Sequence, residues 1–388
     1  MKIAILRQRI SGPGGAETTL GHLARGLVRA GHEVTLLGVS GQEQSAAALG
    51  PGFRYVPVTT WGGKTGRLLT FALNSRRLLR NSRFDAILSL ERTLCQQFYR
   101  AGDGCHREWL ARRAPYLSWP SKAAMQVNPF HRLMLYLEAR LFADPGLRRV
   151  IANSHQVKEE IIRHYRLEPE RIKVIYNGLD HGRFRPLPER ARRELLKDLG
   201  APPGVRILLF VGSGFNRKGL AYLIEAFSGL NDKGLQLWVV GKGDPGPYRR
   251  RAERTGAADR LRFFGPRQDV ASFYQAASVL ALPTIYDPCS NVVLEALACG
   301  TPVVTTTGNG AREFITPGDN GAVLARPYDI PALQEGLAFF LNRGDDPQVR
   351  QAAHQAVAHL GWADTVAQTL AVLEESFEFR VSSFSRKN

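Results

Sequence analysis

Short aliphatic runs that stop at glycine or at a charged turn alternate along this chain with longer amphipathic stretches. That rhythm restricts the fold more than any other feature. Lys2–Leu6, Glu33–Val39, FDAILSL at 84–90 and RVIA at 149–152 read as strands too apolar to leave one face in water. Such strands belong in a parallel sheet covered by helices on both faces. A helix from about Ala16 to Ala30, ended by Gly31, follows the first of them. A second set begins at Val205, with strands at Arg206–Gly212, Leu235–Gly241, Leu261–Gly265, Ser278–Leu282 and Pro302–Thr305. From about Asp329 to Phe379 the pattern is helical. The expected fold is therefore α/β, two doubly wound Rossmann-like arrays in tandem without sequence repeat. The junction falls in RIKVIYNGLDHGRFRP at 171–186, a strand, an Asn-Gly turn and a basic, Pro-bounded segment. The expected domains are 1–175, 176–365, and a terminal helix and tail at 366–388 that packs back on the first. In such sheets ligands bind beyond the carboxyl ends of the strands.

Composition agrees and closes other routes. At 388 residues, 44% hydrophobic and 22% charged, the chain can build two cores and is neither disordered nor collagen-like. No apolar run reaches the ~18 residues a membrane-spanning helix needs. The start, Met1–Leu6, is too short for a signal-peptide core and meets Arg7 and Arg9 at once. Cysteines at 95, 105, 289 and 299 form no C-x-x-C pair, and the nine histidines form no H-E-x-x-H. Neither a zinc site nor a disulfide framework is expected, and a reducing cytoplasm is. The formal net charge of +17 is uneven, since residues 1–170 hold 25 Lys and Arg against 13 Asp and Glu. An acidic partner met by the N-terminal half is the physical implication.

Four stretches carry chemistry. After the first strand, Ser11-Gly12-Pro13-Gly14-Gly15-Ala16-Glu17 reads as a turn whose amides, at Gly14 and Gly15, approach a phosphate at a helix start, or as a plain strand-to-helix turn. Glu17 occupies the place of the third glycine of a dinucleotide fingerprint. Gly241-Lys242-Gly243-Asp244-Pro245-Gly246 matches that fingerprint formally, but Pro245 and Pro247 are expected to oppose immediate helix entry, which argues against a nicotinamide site. Gly212-Ser213-Gly214-Phe215-Asn216-Arg217-Lys218-Gly219 follows a strong strand and places two cations beside glycine amides, a diphosphate site that departs from the Walker pattern at Arg217 and Gly219. Cations are disfavoured at a helix start unless an anion sits there. Finally, Ser290 is placed to cap a helix from Asn291 to Cys299, leaving amides near Asn291, Val292 and Val293 exposed to a ligand. Asp287 stands just before that helix and Glu295 one turn inside it, where a carboxylate needs donors such as sugar hydroxyls.

An acid, seven residues, a second acid and then A-x-A-x-G-x-P-V-V, as at 287–304, resembles the donor-site signature of retaining glycosyltransferases of family 4, whose fold is GT-B. Gly14-Gly15-Ala16-Glu17, Gly31-His32-Glu33-Val34, the Tyr176–Asp180 linker and Arg217-Lys218-Gly219 extend the resemblance over about residues 1–330. Asp287 departs from it, for the family carries Glu there. A narrower resemblance, to bacterial glucosyltransferases of the lipopolysaccharide core, rests on Ala101–Cys105, Arg163–Arg171 and Val211–Gly219. It implies UDP-glucose as donor, a heptose of the inner core as acceptor, and neither cofactor nor divalent metal. On that reading Gly14, Gly15, Glu17, Gly212, Asn216, Arg217, Lys218, Asp287, Ser290, Asn291, Val292 and Glu295 bind the donor. Arg217 and Lys218 neutralise the departing diphosphate, and Asp103 takes the acceptor hydroxyl's proton.

The segment 106–142 interleaves six Arg and Lys, two Glu and many aromatic residues. Arg107, Trp109, Arg112, Arg113 and Lys122 are the expected surface for an anionic inner membrane and the acceptor, reached from the cytoplasmic side. Such a stretch also suits RNA, but no nucleic-acid recognition module is present, and none is expected as a partner. A nucleotide-sugar 2-epimerase of the same fold, which needs no acceptor, and a non-catalytic membrane or nucleic-acid binder are the competing classes.

Overall fold

Ile3 and Ile5 enter one apolar cluster while Ala4 and Leu6 of the same strand enter another, and all four are fully buried. A strand covered on both faces is central in its sheet, and each buried Ile or Leu side chain contributes roughly 1.5–3 kcal/mol. The computed structural model describes residues 1–10 and 14–384, except for the side chains of Ala16 and 376–384. Ser11, Gly12 and Pro13 of the glycine-rich turn thus lie outside the described residues. The chain forms two units, Met1–Gly178 with the segment from Trp362 onward, and Leu179–Gly361. These limits stand a few residues from the expected 175/176 and 365/366.

The first unit holds seven strands, β1 (Lys2–Leu6), β2 (Glu33–Val39), β3 (Phe53–Val58), β4 (Ala86–Ser89), β5 (Phe98–Ala101), β6 (Arg149–Ala152) and β7 (Ile172–Val174). They pair in the order β3-β2-β1-β4-β5-β6-β7, all parallel. Order reverses between β1 and β4, and Ile3 lies in register with Val34 on one side and Ala86 on the other. The C-terminal helix, Trp362–Phe384, belongs to this unit. Its Val372 and Leu373 complete the cluster around Ile3 and Ile5, and Trp362 stacks on His22 at 4.2 Å. The helix Gly15–Arg29 comes so close that a Cβ on Gly26 would stand 2.5 Å from Val366.

The second unit holds β8 (Arg206–Val211), β9 (Leu235–Val240), β10 (Leu261–Gly265), β11 (Val279–Leu282), β12 (Val303–Thr306) and β13 (Gly321–Leu324). Their order is β10-β9-β8-β11-β12-β13, again parallel, and it reverses between β8 and β11. Both sheets are doubly wound, so each has a switch point where loops from two strands diverge.

One expectation is corrected here. The helix Gly246–Arg254 starts directly after the turn at Gly241–Pro245. Pro247 falls in its first turn, where a missing N–H removes no helical hydrogen bond. The glycines still serve packing, because a Cβ on Gly243 would meet the Phe215 ring at 2.5 Å and one on Gly241 would meet the Gly212 carbonyl at 2.0 Å.

Candidate functional site

At the switch point of the second unit, the loop after β8 meets the loop after β11. Gly219 has φ +79°, and a Cβ there would lie 1.9 Å from the Pro283 carbonyl oxygen. Gly212 has φ +149°, and a Cβ there would overlap Lys218, 2.5 Å from its Cδ. The two glycines are therefore required, one to let the loops touch and one to seat the lysine stem. Thr284 Oγ1 and the Ile285 amide both donate to the Arg217 carbonyl, at 3.1 and 2.9 Å. The cation pair is thereby strapped to the segment leading to Asp287.

Asp287 is buried, and its backbone is held on both sides: its amide donates to Gly308 and its carbonyl accepts from Gly310, each at 2.9 Å. Its Oδ2 lies 3.4 Å from Lys218 Nζ and 3.3 Å from Arg217 Nη1. Arg217 Nη1 also donates to the Tyr286 carbonyl at 2.5 Å. Burial pushes the Lys218 ammonium below its ordinary pKa, Asp287 opposing this and Arg217 adding to it. A second anion beside Lys218 would reverse that shift.

Ser290 holds the N-cap position of the helix Asn291–Ala298, but its hydroxyl caps nothing, contrary to expectation. Ser290 Oγ is buried and has no hydrogen-bond partner in the structure. Asn309 ties this turn to the short helix Gly310–Phe314 that it caps, its Oδ1 accepting from the Ser290 amide at 3.3 Å and the Ala311 amide at 3.1 Å. The Val293 amide, expected to face a ligand, donates instead to the Ser290 carbonyl at 3.1 Å. Glu295 accepts from the Tyr274 hydroxyl at 2.8 Å. Desolvation pushes its carboxyl up to about 7, with Tyr274, Arg183 and Lys218 pulling the other way. Tyr274, Arg183 and Asn309 were not singled out from sequence; Asn309, between two glycines after a strand, carried the one local signal.

At the switch point of the first unit, Arg7 follows β1 and reaches across to the loop after β4. Its Nη1 donates to the Leu90 carbonyl at 3.1 Å and to Asp103 Oδ2 at 3.3 Å, and stands 3.4 Å from Glu91. Burial opposes the Arg7 charge, but Glu91 and Asp103 outweigh it and raise its pKa. Burial also pushes the Glu91 carboxyl up, against the pull of Arg7. Asp103 is half-exposed, with a side-chain exposure of 48%. Gly14 is the N-cap of the helix Gly15–Arg29, and Glu17 lies in its first turn. A Cβ on Gly14 would meet Glu17 Oε2 at 2.2 Å, so the Glu17 carboxylate folds back over the helix start.

The basic segment divides into engaged and exposed cations. Arg112 donates to buried Glu108 at 2.7 Å, and His164 Nε2 meets the other oxygen of that carboxylate at 2.7 Å. Arg113 lies over the Trp109 ring and Arg107 over Tyr165. Lys122 is half-buried on the helix Trp119–Val127, whose Trp119 and Val127 are exposed. Arg112 thus serves an internal ion pair rather than an open surface. Among the described residues no group of three His, Cys, Asp or Glu is placed to hold a metal ion, and no helix is long and apolar enough to cross a membrane.

Two parallel sheets, each with charged loops gathered at its switch point, define a protein of two Rossmann-like α/β units. WaaG, whose crystal structure is described as that of a glycosyltransferase involved in lipopolysaccharide biosynthesis, has this build, with a TM-score of 0.78 and 23% identity over 97% of this chain and 99% of its own. Anabaena HepE in complex with UDP-glucose does as well, at TM-score 0.71 and 19% identity over 97% and 100%. The fold is GT-B. The model of Glycosyltransferase Family 4 matches residues 13–183 and that of Glycosyl transferases group 1 matches 205–343, one in each unit, and the chain belongs to this glycosyltransferase family.

Among curated sequences it is 33% identical over 246 residues to D-inositol 3-phosphate glycosyltransferase 2 of Catenulispora acidiphila, covering 59% of this chain and 56% of that one. It is 28% identical over 272 residues to the lipopolysaccharide glucosyltransferase WaaG of Escherichia coli K12, covering 69% and 67%. The chain spans little more than half the length of the inositol-phosphate glycosyltransferases it matches.

Proposed function

We propose that this protein is a retaining, metal-independent glycosyltransferase that moves glucose from UDP-glucose to a heptose of the lipopolysaccharide inner core at the cytoplasmic face of an anionic membrane. The observation that carries the reading is buried Lys218, seated on Gly212 at a switch point beside Arg217, with its pKa lowered where a diphosphate would raise it. The bond from the sugar's anomeric carbon to the β-phosphate oxygen breaks. A bond from the acceptor oxygen to that carbon forms on the same face, and the acceptor proton passes to Asp103. Arg217 and Lys218, helped by amides at Gly14 and Gly15, neutralise the charge that develops on the leaving diphosphate. Glu295 accepts from the ribose hydroxyls. Asp287, with the Asn291 and Val292 amides, orients the sugar, and Arg7 holds the Asp103 carboxylate in place.

The likeness to WaaG, which covers more of this chain than the inositol-phosphate relatives do, supports the core acceptor. The UDP-glucose in HepE, of the same fold, supports the donor. A second acceptor, D-inositol 3-phosphate, is favoured by the higher identity to the Catenulispora enzyme. Both acceptors suit a basic N-terminal half. A panel of labelled nucleotide sugars against truncated core lipopolysaccharides and D-inositol 3-phosphate tests the reading. Transfer from UDP-glucose to a heptose-terminated core is expected. Transfer to inositol phosphate alone would replace the acceptor, and turnover of the sugar nucleotide without any acceptor would replace the reaction by epimerisation.

A further inference from the structure

Between Glu43 and Asp85 the chain carries seven Lys and Arg and no acidic residue. Most of that stretch is one element of the first unit, the helix Lys64–Arg80. Its inner face is held by Leu68 and Ala72, which pack with Leu137 of the helix Pro129–Phe142. The outer face is a stripe at helical spacing: Leu69 and Leu73 toward the start, then Arg76, Arg77 and Arg80, all exposed. Leu73 and the three arginines line a shallow depression with Asn81. Trp61, 67% exposed, precedes the helix and is fixed to it by its amide, which donates to Thr70 Oγ1 at 3.3 Å.

Exposed leucines are ordinary one at a time. Two in line with three arginines, next to an exposed tryptophan and with no carboxylate for forty residues of chain, form an amphipathic surface of one sign. The cations near the helix Trp119–Val127 do not match it, because Arg112 is held by Glu108, Arg113 and Lys122 are half-buried, and Arg107 is the one exposed cation of the four.

We infer that the outer face of the helix Lys64–Arg80 docks on an anionic lipid bilayer and supplies more of the attraction than the 106–142 segment. Arg76, Arg77 and Arg80 reach lipid phosphates, while Leu69, Leu73 and Trp61 enter the headgroup and acyl boundary. Charge complementarity selects the bilayer, and the leucines set it apart from a nucleic-acid face, which has no use for aliphatic side chains in line with its cations. This inference rests on the membrane location proposed above but not on the transfer reaction: wild type held by no vesicle would remove the location itself, whereas unchanged binding by the glutamine triple below would remove this helix alone.

The test is flotation of the full chain with phosphatidylcholine vesicles, with and without phosphatidylglycerol. Wild type should bind only the anionic vesicles, and added salt should release it. The triple variant R76Q/R77Q/R80Q should lose at least about tenfold in partition, given the attraction each basic residue contributes near such a surface. R76K/R77K/R80K should keep most of it, which separates charge from fold. The pair R107Q/K122Q should lose less than the glutamine triple. Unchanged binding by that triple, equal binding of wild type to neutral vesicles, or a larger loss in R107Q/K122Q overturns the inference. Loss of RNA binding in the triple with lipid binding intact would assign the stripe to nucleic acid and overturn it as well.

Discussion

Lys218 Nζ lies 3.4 Å from Asp287 Oδ2, and that same oxygen is the one Arg217 reaches at 3.3 Å. One carboxylate therefore balances two cations, and the pair keeps a net positive charge at a buried position. Such an arrangement suits an anion that comes and goes, because Asp287 offsets part of the lysine's desolvation without cancelling both charges.

Replacing Lys218 by Ala should lower turnover by roughly two to three orders of magnitude, as expected on losing one partner of transition-state charge. The fold should survive, since Asp287 keeps Arg217 and no buried charge is orphaned. Initial rates with saturating acceptor, beside an unfolding curve, check this. A variant within about threefold of wild type would remove Lys218 from the diphosphate site.

Chelation should leave the rate nearly unchanged, because the cations proposed to balance the diphosphate belong to the protein. Rates after dialysis against chelator, with and without added manganese or magnesium, decide the matter. Loss restored by either ion would assign the leaving-group charge to a metal instead.

Glu295 links the site to pH. Its carboxyl is pushed up to about 7 in the folded chain, against an ordinary value of 4.5. A raised carboxyl favours folding only while it is protonated, so stability falls as pH rises from about 4.5 through 7 and is level above. Glu295→Gln is uncharged throughout and keeps an acceptor for Tyr274. It should match wild type near pH 4.5 and exceed it at pH 8 by about 1–2 kcal/mol, the side chain's partial exposure holding the gain below the full shift. Donor affinity should fall in the same variant. Melting curves at the two pH values, paired with donor titration, read both effects; equal stabilities at pH 8 would mean the carboxylate is well solvated.

Much of the frame was legible in sequence because buried parallel strands announce themselves as unbroken aliphatic runs. β1, β2, β6 and β10 fall where those runs lie. Two strands that the runs do not show, β3 and β5, break the pattern for physical reasons. β3 carries Pro57, tolerated because β3 is an edge strand. β5 carries Arg100, buried by a hydrogen bond to Asn177 at 2.8 Å, a partner far along the chain. The site shows the same split. Lys218, Asp287 and Glu295 stand in short motifs, whereas Arg7 and Glu91 meet only because β1 and β4 are neighbours. Asn309 holds the Ser290 amide through a contact nineteen residues away, which no local pattern records.

Glu138 gives the last test, on the first unit. Its carboxylate accepts from Arg92 Nε at 2.9 Å, from the His106 and Arg107 amides at 2.7 and 3.1 Å, and from the Tyr165 hydroxyl at 2.5 Å. Arg92 in turn donates to the Gly104 carbonyl at 2.5 Å, so one buried ion pair fixes both the helix start at His106 and the turn that carries Asp103. Burial alone would push the Glu138 carboxyl up, but Arg92, Tyr165 and the His106 amide together hold it below the ordinary range. A depressed carboxyl adds stability above its unfolded pKa and loses it as pH falls through the folded one. Glu138→Gln turns an amide toward these donors and leaves Arg92 buried without its charge partner. The expected loss at pH 7 is about 3–5 kcal/mol in urea unfolding, shrinking as the pH is lowered into the acid range. Where the variant is still folded, transfer should fall, because the turn that carries Asp103 is no longer held. A variant within about 0.5 kcal/mol of wild type at pH 7 would show that the Arg92–Glu138 pair supports neither the helix start nor the turn.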